Sequence, residues 1–490
     1  MVMSPITTPK QCDLECDVLV IGAGSAGLPA SSTIAEAGYK ALLIEDRPKP
    51  GGSLAMVAGG FACPCSDEQK AAGIEDSPDR YYNDLIKACD SDPELTRAYV
   101  DNVLDVYKIL QEEGMIWPGL HDTPGHSATR DFGWLLGYGP KIVECLEKRC
   151  KKLGVPILYR HRGQRLTVDP ATGRVNGAVV LDGQNKKFIK ARKGVIIATG
   201  GFLHNKEIIA EFDPVMVDCV PKMPISHQGD GLKMAMELGA ATRHIGQAVA
   251  GSWPLCKDTH SRCIWALDCG GIMVNKYGKR FHNEGSDEGY YGFMSRAGMS
   301  QPGGVYFVIY DLDVEASVGL AKVKGSIERN MEQVKDLEQC TRYYGQTPEE
   351  LAEKLGIDAA GFAETIAKWN ANIAKCGYDP DFDRKGRRGG VGELRPFKAP
   401  FIGIKAVTSL TSAKGGLKIN AKCQVIDQFG EIIPGLYAAG EVAGGMWRKS
   451  CMLGVMASLS TTQGLLAARA ILEEIKNEVE SGRVAVGSHR

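Results

Sequence analysis

Short apolar runs alternate with helical patterns from residue 16 to about residue 245. The runs Asp17–Ile21, Ala41–Glu45, Ala178–Leu181 and Gly194–Ala198 are each typical of a buried strand. Strands of this kind, separated by helices, are characteristic of a parallel sheet with helices packed on it. The pattern therefore predicts an α/β fold for this part of the chain.

The pattern changes between about residue 246 and residue 410, where aromatic, glycine and charged residues mix and few segments look like buried strands. Inside this segment Thr347-Pro-Glu-Glu350 predicts the start of a helix, with Thr347 as N-cap, proline in the first turn and Glu350 completing a capping box. Glycine-rich strand and turn patterns return at residue 411 and end in an apolar helix. This order predicts one sheet domain formed by residues 1–245 and 411–490, with residues 246–410 inserted as an α+β domain.

Charge and composition narrow the possible partners. The formal net charge is −1, from 58 basic and 59 acidic residues, which gives no electrostatic reason to expect nucleic acid or an anionic membrane. Met1–Asp17 is polar and predicts no secretory signal, and the uncharged stretch Ser450–Ala468 is expected to be a buried helix. The 15 cysteines form no Cys-x-x-Cys pair, so we expect buried thiols rather than a metal site. These features predict a soluble, cytoplasmic protein.

A buried strand runs directly into a glycine-rich turn at Gly22-Ala-Gly24-Ser-Ala-Gly27, and a helical pattern follows. Gly22 permits a tight turn, Gly24 lets the backbone approach a pyrophosphate, and Gly27 allows the helix to pack closely on the strand. The next strand ends at Glu45, whose carboxylate is placed to accept both ribose hydroxyls. Together these features predict a dinucleotide site; the alternative is a similar turn that binds no ligand.

Three further glycine-rich segments bear on which dinucleotide is bound. Pro50–Gly60 follows shortly after Glu45, while Val195–Phe202 and Ile433–Glu441 each run from a strand into glycines. Such segments suit close backbone contact with the far half of a long, extended cofactor. They favour FAD over NAD.

Five longer motifs are distributed along the chain, and in combination they are highly specific. They are Ala198-Thr-Gly-Gly-Phe-Leu-His-Asn-Lys206, Gly229-Asp-Gly231, Val274–Glu284, Asp379–Arg384 and Gly435–Val442. With these motifs the chain resembles the flavoprotein family of fumarate reductases and succinate dehydrogenases, which also holds the 3-ketosteroid dehydrogenases. The resemblance implies a Rossmann-like FAD-binding domain, a mobile inserted capping domain, and an active site between them at the flavin ring.

The resemblance also implies roles for single residues at the cofactor. Glu441 would contact the ribityl chain, and the amides near Met456 and Ala457 would begin a helix directed at the N1–C2 carbonyl edge of the flavin. Ser53 occupies the position of the histidine that attaches FAD covalently in membrane-bound members, so FAD is expected to be non-covalent. The residues expected to bind FAD are Gly22, Gly24, Ser25, Ala26, Gly27, Glu45, Asp46, Gly51, Gly52, Ser53, Gly59, Gly60, Thr199, Gly200, Gly201, Asp230, Gly440, Glu441, Met456 and Ala457.

The chain departs from the fumarate reductases where those enzymes bind dicarboxylates. The positions of their arginine acid, arginine clamp and three histidines fall at about Glu288, Cys451, Trp447, Val249, and Thr411 or Ser412. A site without those cations does not offset the desolvation of two carboxylates, so fumarate and succinate are not expected as substrates. Because Arg448 is a cation beside Trp447, a carboxylate-bearing substrate remains an alternative.

Aromatic and hydroxyl groups are found instead. The segment after Asn283-Glu284 contains Tyr290-Tyr291 and is similar to the tyrosine-bearing segment of ketosteroid dehydrogenases, where a tyrosine hydroxyl exchanges a proton beside the carbon that gains or loses hydride. By this resemblance Tyr291, or second Tyr290, is the catalytic residue; the alternative is that both only pack. The residues expected at the substrate are Trp447, Arg448, Cys451 and Ser412.

The expected function is hydride transfer between flavin N5 and a carbon of a bulky, cyclic, largely uncharged substrate. Steroid-like, cyclohexanone-like and isoflavonoid-like compounds fit, the last as in tetrahydrodaidzein reductases. One alternative is a fumarate reductase-like enzyme acting on a small carboxylate. The other is a flavin electron-transfer subunit, which the absence of haem, iron–sulfur and second dinucleotide motifs in the sequence disfavours. The sequence does not indicate the electron donor or acceptor.

Overall fold

The computed structural model describes residues 5–481 except 58, 118, 124, 133–137, 222, 246–247, 255–265, 268, 286–293, 318–341, 388–392 and 450. The strands are β1 (Ile6–Thr7), β2 (Leu14–Ile21), β3 (Ala41–Glu45), β4 (Ile157–Tyr159), β5 (His161–Val168), β6 (Val175–Asp182), β7 (Asn185–Ile197), β8 (Val220–Pro221), β9 (Thr242–Arg243), β10 (Ala248–Pro254), β11 (Ile272–Val274), β12 (Val305–Asp311), β13 (Arg342–Gly345), β14 (Phe401–Ala413), β15 (Gly416–Lys418), β16 (Gln424–Ile426), β17 (Ile432–Ala438) and β18 (Ala443–Gly444). The α-helices are α1 (Gly27–Glu36), α2 (Asp67–Ala71), α3 (Pro78–Cys89), α4 (Pro93–Glu112), α5 (Tyr138–Lys152), α6 (Lys206–Phe212), α7 (Asp230–Met236), α8 (Met294–Met299), α9 (Leu312–Ser317), α10 (Pro348–Leu355), α11 (Ala359–Cys376) and α12 (Val455–Glu480). Short 3-10 turns lie at Leu54–Met56, Pro214–Met216, Pro302–Gly304 and Gly440–Val442.

The larger sheet contains the strands that the apolar runs predicted. Within the described residues its order is β1-β5-β6-β7-β2-β3-β4, and β7 also pairs with β17. The strands β4, β3, β2, β7 and β17 are parallel, whereas β6 is antiparallel to the first half of β7. Because β17 pairs with β7 beyond the point where β6 ends, the last part of the chain returns beside the first. The carboxyl ends of β2, β7 and β17 therefore lie at one edge of the sheet.

A second sheet belongs to the inserted part of the chain. Its order is β10-β14-β12-β11, with β13 and β8 also paired with β14. Its buried apolar residues, from Ala266 to Ala406, form a hydrophobic cluster separate from the one that surrounds the larger sheet. Helices α10 and α11 contribute Leu351, Phe362 and Trp369 to this second cluster. We call the two clusters the first core and the second core.

These observations confirm the predicted fold class, an α/β sheet domain with an inserted mixed domain. We propose 246 and 410 as the limits of the insertion, although residue 410 falls inside β14. The sequence reasoning was wrong to find few buried strands between these limits, because β12 and most of β14 are buried.

The predicted helix start at Thr347 is confirmed. The Thr347 hydroxyl accepts the Glu350 N–H at 3.2 Å, and Pro348 is the first residue of α10. Glu350 differs from the prediction in one detail, since its carboxylate accepts the Gln346 N–H at 2.7 Å, one residue before the N-cap. The capping carboxylate therefore also fixes the approach to the helix.

The uncharged stretch near the C-terminus lies mainly in α12. This helix is long and apolar enough to meet a membrane-span criterion, with 67% of its most apolar window buried inside the protein. Its buried residues include Ser458, Thr461 and Thr462, whose hydroxyls donate to carbonyls of the same helix. The helix contributes to the first core, as the sequence predicted.

Candidate functional site

Three glycine-rich turns meet where the parallel strands of the larger sheet end. Ala198 N donates to Ile21 O at 2.8 Å, and Ala439 N donates to Ile197 O at 3.0 Å. Gly22 follows the end of β2 directly, and Thr199 and Gly440 lie two residues beyond the ends of β7 and β17. The turns were predicted from separate parts of the sequence, and the strand order brings them together.

The first turn leaves space on one side only. A Cβ on Gly22 would lie 2.3 Å from Ala198 O, and a Cβ on Gly27 would lie 1.8 Å from Gly22 O. A Cβ on Gly24, in contrast, would have no protein atom within 4 Å. Gly22 and Gly27 are therefore required by protein packing, whereas Gly24 borders open space into which a methyl group would project.

The helix after this turn offers its positive end to the same space. Ala26 precedes α1 without a side-chain cap, and the first turn of α1 has no acidic residue. Amides at an uncapped helix N-terminus are suited to bind phosphate. Ser25 and Ala26 complete the turn, and a Cβ on Gly440 would lie 3.1 Å from Ala26 Cβ.

Glu45 lies at the end of β3 with its side chain almost fully buried. Its two oxygens accept the N–H groups of Ala23 at 2.8 Å and Arg47 at 2.9 Å. Burial raises the pKa of Glu45, and the two backbone N–H groups oppose that shift. The carboxylate is thus held beside the first turn, as binding of ribose hydroxyls requires.

The second glycine loop packs against the first. Gly51 N donates to Ala23 O at 2.8 Å, and a Cβ on Gly52 would lie 3.7 Å from Gly24 Cα. Gly59 packs instead against the start of α5, where a Cβ would lie 2.2 Å from Gly139 N. Gly60 follows it, partly exposed.

Ser53, His227 and Glu441 form a line of polar side chains at the third turn. His227 Nε2 lies 2.9 Å from Ser53 Oγ, and its Nδ1 lies 3.8 Å from Glu441 Oε2. The second Glu441 oxygen accepts the Ala413 N–H at 2.6 Å. Burial lowers the pKa of His227, and the Glu441 carboxylate opposes this effect. The imidazole therefore connects Ser53 of the second loop to Glu441, which lies just beyond β17.

Glycines at positions 200 and 201 make this line possible. A Cβ on Gly200 would lie 2.8 Å from His227 Nε2, and a Cβ on Gly201 would lie 2.7 Å from Glu441 Oε1. The φ angle of Gly200 is +75°, a conformation that also favours glycine. The Thr-Gly-Gly sequence is thus needed both for the turn and for the side chains against it.

We call the three glycine-rich turns, the second glycine loop and the side chains against them the cofactor cradle. Two buried polar atoms in this cradle have no hydrogen-bond partner among the described residues. They are Oγ1 of Thr199 and Nδ1 of His227. A buried polar atom without a partner is unfavourable and calls for a ligand or water. Together with the open space at Gly24 and the uncapped α1, these atoms show that the residues present fit FAD.

The start of α12 provides a second uncapped helix end. Gly454, at φ +77°, precedes the helix, no side chain caps it and its first turn has no acidic residue. Met456 and Ala457 lie in this first turn and are partly exposed. That this helix end is directed at the flavin carbonyl edge stays a prediction.

Two of the predicted FAD residues are less close to the cradle. Asp230, in the first turn of α7, forms a two-point ion pair with Arg162, at 2.7 and 2.8 Å. Asp46 is exposed, and its charge acts on the same arginine. The structure therefore places Asp230 in a half-exposed ion pair with Arg162, and Asp46 acts on that pair through its charge.

The predicted substrate residues fall into two environments. Trp447 and Cys451 are buried in the first core, at 2% and 4% exposure. Arg448, between them in sequence, is directed outward, with its side chain 46% exposed and its guanidinium 3.9 Å from Asp92. Arg448, which left a carboxylate-bearing substrate as an alternative, is therefore not directed at the buried side of this loop.

The two strand positions aligned with substrate histidines are direct neighbours in the second sheet. Ser412 of β14 pairs with Val249 of β10. The Ser412 hydroxyl is partly buried and lies 3.3 Å from Ala413 O, to which it donates. Tyr290, Tyr291 and Glu288 lie outside the described residues.

Sequence reasoning missed one group that the structure brings to this region, Lys414, and it treated His227, which lies beside the flavin motifs, as structural. Lys414 follows β14 directly and is 5% exposed. The sequence signal for Lys414 is a single lysine flanked by small residues, in Ser-Ala-Lys-Gly-Gly. Among the described residues no group of three or more His, Cys, Asp or Glu side chains is arranged to hold a metal ion.

Comparison with known proteins identifies the family. Residues 17–451 match the FAD binding domain family (FAD_binding_2). The chain therefore belongs to this family of flavoproteins. It is an FAD-dependent oxidoreductase of the fumarate reductase type, which confirms the class, cofactor and resemblance predicted from the motifs.

Similar proteins differ in what their names say they act on. The chain is 30% identical to urocanate reductase of Eggerthella lenta, over 89% of this chain and 71% of that protein. It is 26% identical to 3-oxosteroid 1-dehydrogenase of Mycolicibacterium smegmatis, over 88% of this chain and 92% of that protein. The open conformation of a flavocytochrome c3 fumarate reductase superposes with a TM-score of 0.78 at 28% identity, covering 94% of this chain and 79% of that one.

Proposed function

We propose that the protein transfers hydride between flavin N5 and a carbon of a bulky, cyclic, largely uncharged substrate, with Tyr291 as the proton donor or acceptor. The observation that carries this proposal is the environment of the 445–454 loop. Its inward side presents Trp447 and Cys451, whereas Arg448 is directed outward toward Asp92. An indole and a thiol suit an apolar ring and offer no bidentate partner to a carboxylate.

In this proposal the described residues would supply binding and polarisation around the reaction, and Tyr291, which lies outside them, the proton. When bound, FAD supplies the site that gives or accepts hydride. The uncapped start of α12 would stabilise negative charge at the edge of the ring, because the helix dipole and the free N–H groups act in the same direction. Trp447 would provide an apolar face for a ring, and Tyr291 would exchange the proton that accompanies hydride transfer.

The test is anaerobic reoxidation of the reduced FAD-loaded protein, followed by visible absorbance. The panel contains fumarate, urocanate, a 3-ketosteroid enone and an isoflavonoid. We expect rapid reoxidation by a cyclic uncharged compound. Tyr291→Phe should slow it by about 100-fold or more, since positioned proton transfer contributes rates of that order. The matched variant Tyr290→Phe should change the rate only a few-fold.

Other outcomes assign the site differently. Rapid reoxidation by fumarate or urocanate alone would contradict the uncharged substrate and support the small-carboxylate alternative. If Tyr290→Phe, and not Tyr291→Phe, abolishes the reaction, the role of Tyr291 is wrong. Reoxidation that occurs only with an added carrier protein would favour an electron-transfer subunit.

A further inference from the structure

Lys414 is a buried cation next to the cofactor cradle. It directly follows Ala413, whose N–H donates to Glu441 at 2.6 Å. It is separated by one residue from Ser412, one of the residues expected at the substrate. Because the residue is only 5% exposed, its ammonium group is largely removed from bulk water. A buried ammonium group is costly unless its hydrogens and charge are satisfied.

The described residues satisfy this ammonium only in part. Lys414 Nζ donates to Lys449 O at 2.8 Å, and this carbonyl is its one hydrogen-bond acceptor among the described residues. A lysine ammonium has three N–H donors, so two remain for another partner. The carbonyl that it uses belongs to the same 445–454 loop that carries Trp447 and Cys451.

The charged and titratable groups around Lys414 do not neutralise it. Burial lowers its pKa, the thiols of Cys451 and Cys89 oppose that shift, and Arg296 of α8 adds to it. Cys89 is itself buried, and burial raises the pKa of its thiol, which keeps it uncharged. Arg296 lies 3.1 Å from Asp213, its own partner. No carboxylate in the described part of the chain pairs with the Lys414 ammonium.

We propose that Lys414 binds a single oxygen of the substrate ring, a phenol or a ketone, near Cys451, the position aligned with the arginine clamp of fumarate reductases. This proposal rests on the proposed function and specifies its substrate class. The two remaining N–H donors would bind the oxygen, and a phenolate or an enolate formed during the reaction would gain a charge-assisted hydrogen bond.

A single oxygen fits this cation better than a carboxylate does. Arginine presents a planar fork that binds both carboxylate oxygens, whereas lysine is a compact point charge. Here one of its three donors is already used by Lys449 O. The remaining donors converge on one acceptor more readily than they match two separated oxygens.

The experiment measures binding and does not depend on turnover. The FAD-loaded protein is dialysed to equilibrium at neutral pH against 4-nitrophenol, which is then partly ionised, and separately against nitrobenzene and benzoate. We expect Lys414→Met to weaken 4-nitrophenol binding about tenfold or more, the size of a lost charge-assisted hydrogen bond. Nitrobenzene, which lacks the oxygen, should bind equally to both proteins.

Lys405→Met is the matched control, because Lys405 is an exposed lysine on the same strand, β14. It should leave all three affinities unchanged. Equal loss of nitrobenzene and 4-nitrophenol in Lys414→Met would show that the lysine only holds the loop, and the proposal would be overturned. If Lys414→Met lost affinity for benzoate alone, Lys414 would be a carboxylate site, and the proposal would also be overturned. Absence of turnover with the cyclic panel would reject the proposed function and leave this binding result intact.

Discussion

At the scale of single residues, two glycines of the same motif differ in what their lack of a side chain allows. Gly27 is required by the protein itself, since a Cβ there would lie 1.8 Å from Gly22 O. Packing does not require Gly24, since a Cβ there would meet no protein atom within 4 Å, and we predict that bound FAD does. With Gly22, which packing also requires, the three-glycine pattern therefore contains two folding constraints and one predicted ligand constraint.

This difference gives a paired prediction. Gly24→Ala should fold with the melting temperature of the wild-type apoprotein but bind FAD at least about tenfold more weakly, a loss of about 1.4 kcal/mol or more. Gly27→Ala should be destabilised by about 3 kcal/mol or more, because backbone atoms must move. Calorimetry of the apoproteins and FAD titration distinguish the two. A Gly24→Ala protein with unchanged FAD affinity would show that the pyrophosphate does not approach this residue.

The residue scale is also where the sequence is least informative. The glycines and Glu45 follow from local spacing, but Ser53 and His227 are 174 residues apart and meet only after folding. No local pattern marks His227 as their partner. Lys414 is different, because a lysine among small residues was a usable signal. Sequence reasoning did not use it, since it compared only the positions at which fumarate reductases carry arginines and histidines.

At the scale of elements, helix α12 begins on a buried ionic network. Arg130, fully buried, pairs with Asp76 at 2.8 Å and with Asp84 at 2.6 Å. It also donates to His126 Nδ1 at 3.2 Å, and His126 Nε2 donates to Leu453 O at 3.0 Å, just before the helix. The helix end that we place at the flavin is therefore connected to a buried neutral histidine.

His126 predicts a pH dependence of stability. Burial lowers its pKa to about 4, from an unperturbed value of about 6.5. Between these values the unfolded chain binds more protons than the folded one, so the free energy of unfolding falls as pH drops from about 6.5 to about 4. The contribution is about 3 kcal/mol.

The variant His126→Gln isolates this contribution, since an amide makes both hydrogen bonds and does not titrate. In urea unfolding across this pH range, its loss of stability should be smaller than that of the wild type by about that amount. Equal losses in the two proteins would mean that His126 is not the neutral group inferred here.

Elements of the inserted part were harder to predict than those of the first core. Strand β3 has the predicted bounds, and the other apolar runs fall in β2, β6 and β7. Strand β12 was missed although Val305–Tyr310 is a continuous apolar run. It lies among glycine-rich and charged segments, and its burial depends on pairing with β14, which is distant in sequence.

At the scale of the whole molecule, each core has its own buried centre. In the second core the fully buried Glu284 binds Arg280 at 2.6 Å and Arg384 at 2.9 Å, and accepts Met273 N–H at 2.8 Å. The flanking arginines lower the pKa of Glu284 against the opposing effect of burial. Removing this charge leaves two buried guanidinium groups without their shared partner.

We therefore expect Glu284→Gln to destabilise the second core by about 3–5 kcal/mol, the usual cost of breaking a buried ion pair. Near-ultraviolet circular dichroism should melt at a lower temperature, while release of FAD fluorescence, which reports the first core, should shift less. Glu364→Gln, which removes an exposed partner of Lys279, should change either midpoint little. Equal shifts of both signals in Glu284→Gln would mean that the two cores unfold as one unit.

Strand β14 has a consequence for recombining this protein with its relatives. It runs without interruption from Phe401, inside the second core, to Ala413, whose N–H binds the glutamate of the cofactor cradle. A chimera joined at residue 410 would cut the strand three residues before that contact and separate Ser412 and Lys414 from the insert they accompany. Exchanges of the insertion between family members should therefore be joined beyond Lys414, so that the strand and the groups at its end are inherited together.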